Sequence, residues 1–254
     1  MMTKIILCGC NGKMGHVIHS MILSDYPEMT IVAGVDANTQ PNNDFPVYGN
    51  FSDIPCIEAD VIIDFSSPKS LDSMLDYMKQ HNTPAVIATT GYTDCQLLQI
   101  DEVAHQVAVF RSANMSLGIN LLISLAQKAT NLLNSFDIEI VEAHHNQKVD
   151  APSGTALMLA DAISQARDTA VHYEFDRHSQ RKKREKSEIG IHSVRGGTIV
   201  GEHEIIFAGH DEVIRLSHSA ASKEVFAQGA IRAAGFLKDQ SAGLYDMDDL
   251  LKTM

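Results

Sequence analysis

The chain has 254 residues, 44% hydrophobic and 20% charged, which excludes wholesale disorder and fits one large domain or two modest ones. Its 20 Lys and Arg stand against 32 Asp and Glu, and the resulting net charge of −12 repels phosphate backbones and argues against a nucleic-acid partner. No apolar run approaches the roughly 18 to 20 residues of a membrane span, Ile5 to Cys8 is too short for a signal peptide, and Cys8, Cys10, Cys56 and Cys95 form no Cys-x-x-Cys pair, so no membrane partner and a reducing, cytoplasmic location are expected.

In chain order, the short apolar run Lys4 to Cys8 reads as a buried strand ending at Gly9, and Met14 to Leu23 has helical spacing. Thr30 to Val35 is a second strand ending at Asp36, and 37–55 is mostly loop. Val61 to Phe65 is a strand. Ser67-Pro68 offers an N-cap and a first-turn proline for a helix to Gln80. Pro84 to Thr89, Thr93 to Gln106 and Val107 to Phe110 read as strand, helix and strand. Short strands alternating with helices imply a parallel sheet covered on both faces. After this the rhythm changes. Ser116 to Leu133 is a long helix pattern, Asp137 to Glu142 a half-exposed strand, and Ser153 to about Arg167 a helix. Ile189 to Val194, Thr198 to Phe207 and Val213 to Ser217 follow without intervening helices, and Lys223 to Leu237 is a final helix. The expected fold is α/β: a Rossmann-like parallel-sheet nucleotide domain (1–115), an α+β domain with a mainly antiparallel sheet (116–220), and a C-terminal segment (221–254).

Gly9-Cys10-Asn11-Gly12-Lys13-Met14-Gly15 is a G-x-x-G-x-x-G turn between a strand and a helix. Gly9 permits the sharp turn, Gly12 lets the backbone approach a pyrophosphate, and Gly15 lets the helix pack closely. The helix start supplies N–H groups to phosphate. Asp36 follows about 20 residues on, where a ribose-binding carboxylate is expected. It would repel a 2′-phosphate, Ala37 offers no cation, and Lys13 is the one candidate counter-charge in the turn, so NADH is expected over NADPH.

Glu142 to Ala156 gathers His144, His145, Lys148 and a capped helix start at Ser153-Gly154-Thr155. That helix end suits a carboxylate, Lys148 adds an ammonium, and a histidine trades protons near neutral pH. The combination points to a small anionic substrate that is protonated during reaction. No third ligand stands at metal spacing beside the histidine pair, so no metal is expected. Arg181-Lys182-Lys183-Arg184-Glu185-Lys186 reads as a solvated loop, Arg195-Gly196-Gly197 as a turn that leaves open a role for Arg195 near substrate or a neighbouring subunit, and His192, His203, His210 and His218 as mostly structural or exposed. Taken alone, these residues leave open another nicotinamide-linked oxidoreductase or a non-catalytic NAD(H)-sensing module.

The stretch Glu142 to Ala156 resembles the signature of the 4-hydroxy-tetrahydrodipicolinate reductase (dihydrodipicolinate reductase) family. The likeness extends to Gly9–Gly15, Asp64-Phe65-Ser66, Ala88-Thr89-Thr90-Gly91, Ala113-Asn114-Met115-Ser116, Val194-Arg195-Gly196-Gly197, Gly201-Glu202-His203 and Phe226-Ala227-Gln228-Gly229-Ala230. The resemblance implies NAD(P)H-dependent reduction of 4-hydroxy-tetrahydrodipicolinate to tetrahydrodipicolinate in lysine and diaminopimelate biosynthesis. It also implies a Rossmann-like N-terminal domain, a C-terminal domain for a dicarboxylate substrate and homotetramer formation, and a last helix that returns to the nucleotide domain. By position, His144 and Lys148 would be catalytic, with His145, Gly154 and Thr155 on the substrate beside Ser153. Gly9, Cys10, Asn11, Gly12, Lys13, Met14, Asp36, Ala88, Thr89, Thr90, Ser112, Ala113, Asn114 and Met115 would line the cofactor. The chain departs from the family at Ala88, where Gly is frequent, and at Ala37 and Ser67, where some members carry Arg. Hinges are expected near 111–116 and 219–223.

Overall fold

The computed structural model describes residues 2–40 and 44–254, so the part of the 37–55 loop expectation that falls on 41–43 lies outside the described residues. The chain divides into two compact units: one runs to Leu117 and resumes at Glu224, and the other is Gly118–Lys223.

The first unit is a seven-stranded parallel sheet. Its strands are β1 (Thr3–Cys8), β2 (Met29–Val35), β3 (Val47–Tyr48), β4 (Val61–Asp64), β5 (Ala85–Ile87), β6 (Ala108–Arg111) and β12 (Gly243–Tyr245), in the order β12-β6-β5-β4-β1-β2-β3. Side chains alternate between two apolar clusters. Ile5, Leu7, Val61 and Ile63 enter one, which also receives α1 (Lys13–Asp25) and α6 (Glu224–Leu237). Ile6, Cys8, Ile62 and Ile87 enter the other, with α2 (Leu71–His81) and α3 (Asp94–Ala104). Burial on both faces is why β1 and β4 are continuous apolar runs rather than alternating ones. Gly229 on α6 lies directly on the Met115 carbonyl, and a side chain there would overlap it.

Several boundaries differ from the sequence reading for local reasons. Thr93 and Gln96 form a reciprocal capping box that starts α3 at Asp94. Pro68–Ser70 forms a 3₁₀ turn before α2 begins at Leu71. Within the expected 37–55 loop, Val47–Tyr48 adds a short parallel edge strand, secured by Gly34 N–H to Pro46 O (2.9 Å) and Asp36 N–H to Tyr48 O (3.0 Å). Two elements near the C-terminus, β12 and α7 (Met247–Lys252), are additional to those expected.

The second unit has a five-stranded sheet, β11-β10-β7-β9-β8, made of β7 (Asp137–His144), β8 (His172–Glu174), β9 (Glu188–Arg195), β10 (Gly201–Ala208) and β11 (Val213–Ala220). The ladder β10–β11 is antiparallel, as expected of consecutive strands, and β7–β10 is antiparallel as well; together they are the longer part of the sheet. The pairings β7–β9 and β8–β9 are parallel. The strands β9 and β10 are not neighbours, because β7 lies between them. This order flanks the end of β7 with Arg195 and the start of β10. One sheet face packs Ile138, Ile140, Ile191, Ile205 and Phe207 against α4 (Leu117–Leu132) and α5 (Gly154–Gln165), which supply Leu122, Ala126, Leu159 and Ile163. The expected solvated loop at 181–186 is tied down instead. Arg184 pairs with Asp137 (3.0 Å) and Glu139 (3.0 Å) and donates to the Ile138 carbonyl (2.9 Å), because the start of β7 offers carboxylates that a chain of net charge −12 has in excess.

Candidate active site

In the first unit the glycine turn joins β1 to α1. Gly9 has φ +79°, and a Cβ there would lie 2.7 Å from the Phe65 carbonyl carbon, so only glycine fits. A Cβ on Gly15 would overlap the carbonyl oxygens of Gly9 and Cys10, so the third glycine lets the first turn of α1 close on its own entry loop. Gly12 is the N-cap of α1, with no side-chain cap on the helix start. Cys10 points inward: it is fully buried, its sulfur packs on Gly34, and burial, then the Asp36 charge, pushes its thiol up to about 11. Its backbone therefore remains as the part that can meet a ligand.

The Asp36 carboxylate accepts from Asn11 N–H (3.0 Å) and Asn38 N–H (2.9 Å), and the Asn11 amide donates to the Asn38 carbonyl. Gly9, Gly12, Asp36, Ala37, Phe65 and Lys69 line a cleft of about 400 Å³. A glycine floor, a helix N-terminus and an oriented carboxylate fit the pyrophosphate and ribose of a dinucleotide. Ala88–Thr90 and Ser112–Met115 follow β5 and β6 and are not among this cleft's lining residues. Thr89 Oγ1 accepts from Ser66 N–H (2.8 Å). Ser112 Oγ donates to Asn114 O (2.9 Å), Asn114 Oδ1 accepts from Ser116 N–H (2.9 Å), and the Met115 side chain is buried in the core. Asp64 is fully buried and receives bonds from Ser66 and Tyr92; burial raises its pKa, and those bonds oppose the rise.

In the second unit, β7 continues to His144, two residues beyond the expected end. Alternation then puts Ile138, Ile140, Glu142 and His144 on its buried face. A buried carboxylate is costly unless it is paired. Glu142 is paired on every side: with His144 Nδ1 (2.6 Å), Arg195 (2.8 and 2.7 Å) and Ser153 N–H (3.1 Å). Burial alone would push its carboxyl up, but bonds from Arg195, Ser193, His144 and Ser153 outweigh that and hold it at about 2. Ser153 is the buried N-cap of α5, its Oγ accepting from Ala156 N–H (3.2 Å) and lying 3.2 Å from His203 Nε2. His203 meets His144 edge-on, with centroids 5.2 Å apart. The loop after His144 is pinned to the Arg195–Gly197 turn by Gly196 N–H to His144 O (2.9 Å) and Asn146 N–H to Gly197 O (3.2 Å). Lys148 forms an ion pair with Asp150 (2.9 Å).

Within this unit Glu142 thus joins His144 to Ser153, with His145, Lys148, Gly154 and Thr155 in the loop and helix start that follow β7. Two residues of this arrangement escaped sequence reasoning: Glu142 and His203. The signal for Glu142 was present, since a charge on the apolar face of an alternating strand needs a partner. Nothing local pointed to His203, and Arg195, weighed as a turn residue near substrate or a neighbouring subunit, meets Glu142 only because both it and His203 arrive from other strands.

The profile described as "Dihydrodipicolinate reductase, N-terminus" matches residues 3–115, and "Dihydrodipicolinate reductase, C-terminus" matches 118–251. The chain is 52% identical to the 4-hydroxy-tetrahydrodipicolinate reductase of Caldanaerobacter subterraneus subsp. tengcongensis and 49% identical to that of Clostridium novyi, with 99% of each chain covered in both cases. Among solved structures it is similar to the dipicolinate-bound dihydrodipicolinate reductase from Paenisporosarcina sp. TG-14, with a TM-score of 0.81 and 28% identity over 97% of this chain and 98% of that one.

Proposed function

The chain belongs to the dihydrodipicolinate reductase family, and on that premise we propose how its residues divide the work. It reduces 4-hydroxy-tetrahydrodipicolinate to tetrahydrodipicolinate with a pyridine nucleotide, a step of lysine and diaminopimelate biosynthesis. The observation that carries the residue roles is the buried His144–Glu142 pair joined to the N-terminus of α5.

The backbone from Gly9 to Met14 holds the cofactor's pyrophosphate, and Asp36 accepts from a ribose hydroxyl. Ala88, Thr89, Thr90, Ser112, Ala113, Asn114 and Met115 complete its surroundings. When bound, the reduced nicotinamide supplies the hydride. NADH is preferred, because Asp36 stands where a 2′-phosphate would come and Ala37 brings no cation. Substrate carboxylates bind at the helix start capped by Ser153, through the N–H groups of Gly154 and Thr155, with His145 beside them. Lys148 joins them by exchanging Asp150 for a substrate carboxylate. Asp150 is more than half exposed, and such a pair is worth only about 0–1 kcal/mol. His144 and Lys148 hold the proton that quenches the ring atom gaining electron density. The chain works in the cytoplasm, a reading supported by its four free cysteines. It assembles as a homotetramer, a reading supported by the exposed Val194 and Val213 on the sheet face opposite His144.

The test is a coupled assay with freshly made substrate and either NADH or NADPH. His144→Gln and Lys148→Ala should each lower kcat by roughly 10²- to 10⁴-fold while NADH still binds. Near wild-type turnover in either variant removes that residue's role. A KM for NADPH about tenfold below that for NADH overturns the cofactor preference.

A further inference from the structure

Donors from three different places in the chain converge on the Glu142 carboxylate. Oε2 meets His144 Nδ1 at 2.6 Å and Arg195 Nη1 at 2.8 Å, and Oε1 meets Arg195 Nη2 at 2.7 Å and Ser153 N–H at 3.1 Å. From this convergence we infer that Glu142 is the positioning residue of the site: it sets which nitrogen of His144 faces the substrate, and it ties that ring to the anion-binding start of α5. The inference rests on the reading of His144 as the proton-handling group and adds the residue that acts through it.

An ionised carboxylate only accepts hydrogen bonds, so the contact at 2.6 Å requires a hydrogen on His144 Nδ1. In the neutral ring Nε2 then carries the lone pair, and in the cation Nε2–H is the bond that gives up its proton. Gly201 keeps the surroundings of that atom clear, since a Cβ at 201 would come within 3.2 Å of Nε2. The planar Arg195 fork grips both carboxylate oxygens and stops the group from turning. One oxygen is therefore always aimed at His144 and the other at the first backbone N–H of the α5 cap. The Arg195 main chain is itself the β9 partner of His144, and its Nη2 also donates to the Asp150 carbonyl (2.7 Å), so ring, fork and loop share one frame. The ring that moves the proton and the helix end that binds a carboxylate are thus held in register by a single side chain.

The experiment uses the full chain with Glu142→Gln. Glutamine is nearly isosteric but has one accepting oxygen, and its NH₂ opposes the Arg195 donors. Nitrogen NMR of His144, recorded where the ring has lost its second proton, should show the remaining proton on Nδ1 in the wild type and a mixture of tautomers in E142Q. In the coupled assay E142Q should lose about 10²-fold in kcat. Its KM for substrate should rise while its KM for the cofactor stays unchanged. The double variant E142Q/H144Q should be no slower than H144Q, because a residue acting through His144 has nothing left to act on. Unchanged tautomers and kcat in E142Q, or losses that multiply in the double variant, overturn the inference. Near wild-type turnover of H144Q instead removes the role of His144, and the tautomer measurement still decides what Glu142 does to the ring. If E142Q does not fold, Arg195→Lys keeps the carboxylate charged but removes the fork, and the same tautomer and double-variant signatures decide the matter.

Discussion

Replacing His203 by Gln should make the protein's stability less sensitive to acid between pH 6.5 and about 4. His203 is 5% exposed, its Nε2 bonds Ser153 Oγ, and its Nδ1 has no hydrogen-bond partner. Burial, followed by the neighbouring charge of His144, pushes its pKa from 6.5 down to about 4. In that interval the unfolded chain binds a proton at this residue and the folded chain does not, so stability falls as the pH falls. The complete loss is worth about 3 kcal/mol, and about 2 kcal/mol is already lost at pH 5. Glu142 does not confuse the reading. Its pKa is held down from 4.5 to about 2, so the stability it confers is lost only as the pH drops below 4.5. Gln at 203 cannot take up the proton and retains an amide to meet Ser153. Urea unfolding at pH 7.5 and pH 5, followed by hydrogen-exchange protection of the β7 and β10 amides, measures the difference. Wild type should lose about 2 kcal/mol more than H203Q between the two pH values. Equal losses in the two proteins would refute the claim that His203 is held neutral by its surroundings.

Three further outcomes are expected. Gly15→Ala should lower Tm and also raise the Kd for NADH at least about tenfold, because its Cβ overlaps the Gly9 and Cys10 carbonyls; Gly12→Ala, whose Cβ meets only the Gly9 carbonyl oxygen at 3.2 Å, should lower Tm less than Gly15→Ala and lose chiefly nucleotide affinity, as isothermal titration would show. Arg184→Ala should cost about 2 kcal/mol in chemical unfolding, since its largely buried guanidinium holds Asp137 and Glu139; a loss below about 0.5 kcal/mol would return the 181–186 segment to a solvated loop. Light scattering of the purified chain should give four copies, and Val194→Asp should reduce that number; a monomeric wild type would contradict the assembly.

Much of the molecule was legible residue by residue, because periodicity and turn chemistry are local. The apolar runs at Ile5–Leu7 and Val61–Ile63, the Gly9–Gly15 turn and the cap at Ser153 announced a nucleotide-type sheet and an anion-ready helix end from a few neighbouring residues each. The tie between His144 and Arg195 could not be seen in this way. It spans about 50 residues of chain and exists because β7 inserts between β9 and β10, an order that consecutive strand patterns do not encode. Alternation along β7 puts Glu142 on the inner face, but its partners come from whatever strand pairs beside it. The same holds for Arg184, whose basic run reads as solvated until the start of β7 brings Asp137 and Glu139 against it. Short-range pattern therefore determined the elements and their inward faces. Long-range strand pairing alone decided which charges meet in the interior, where low polarizability makes a carboxylate tolerable only beside its specific donors.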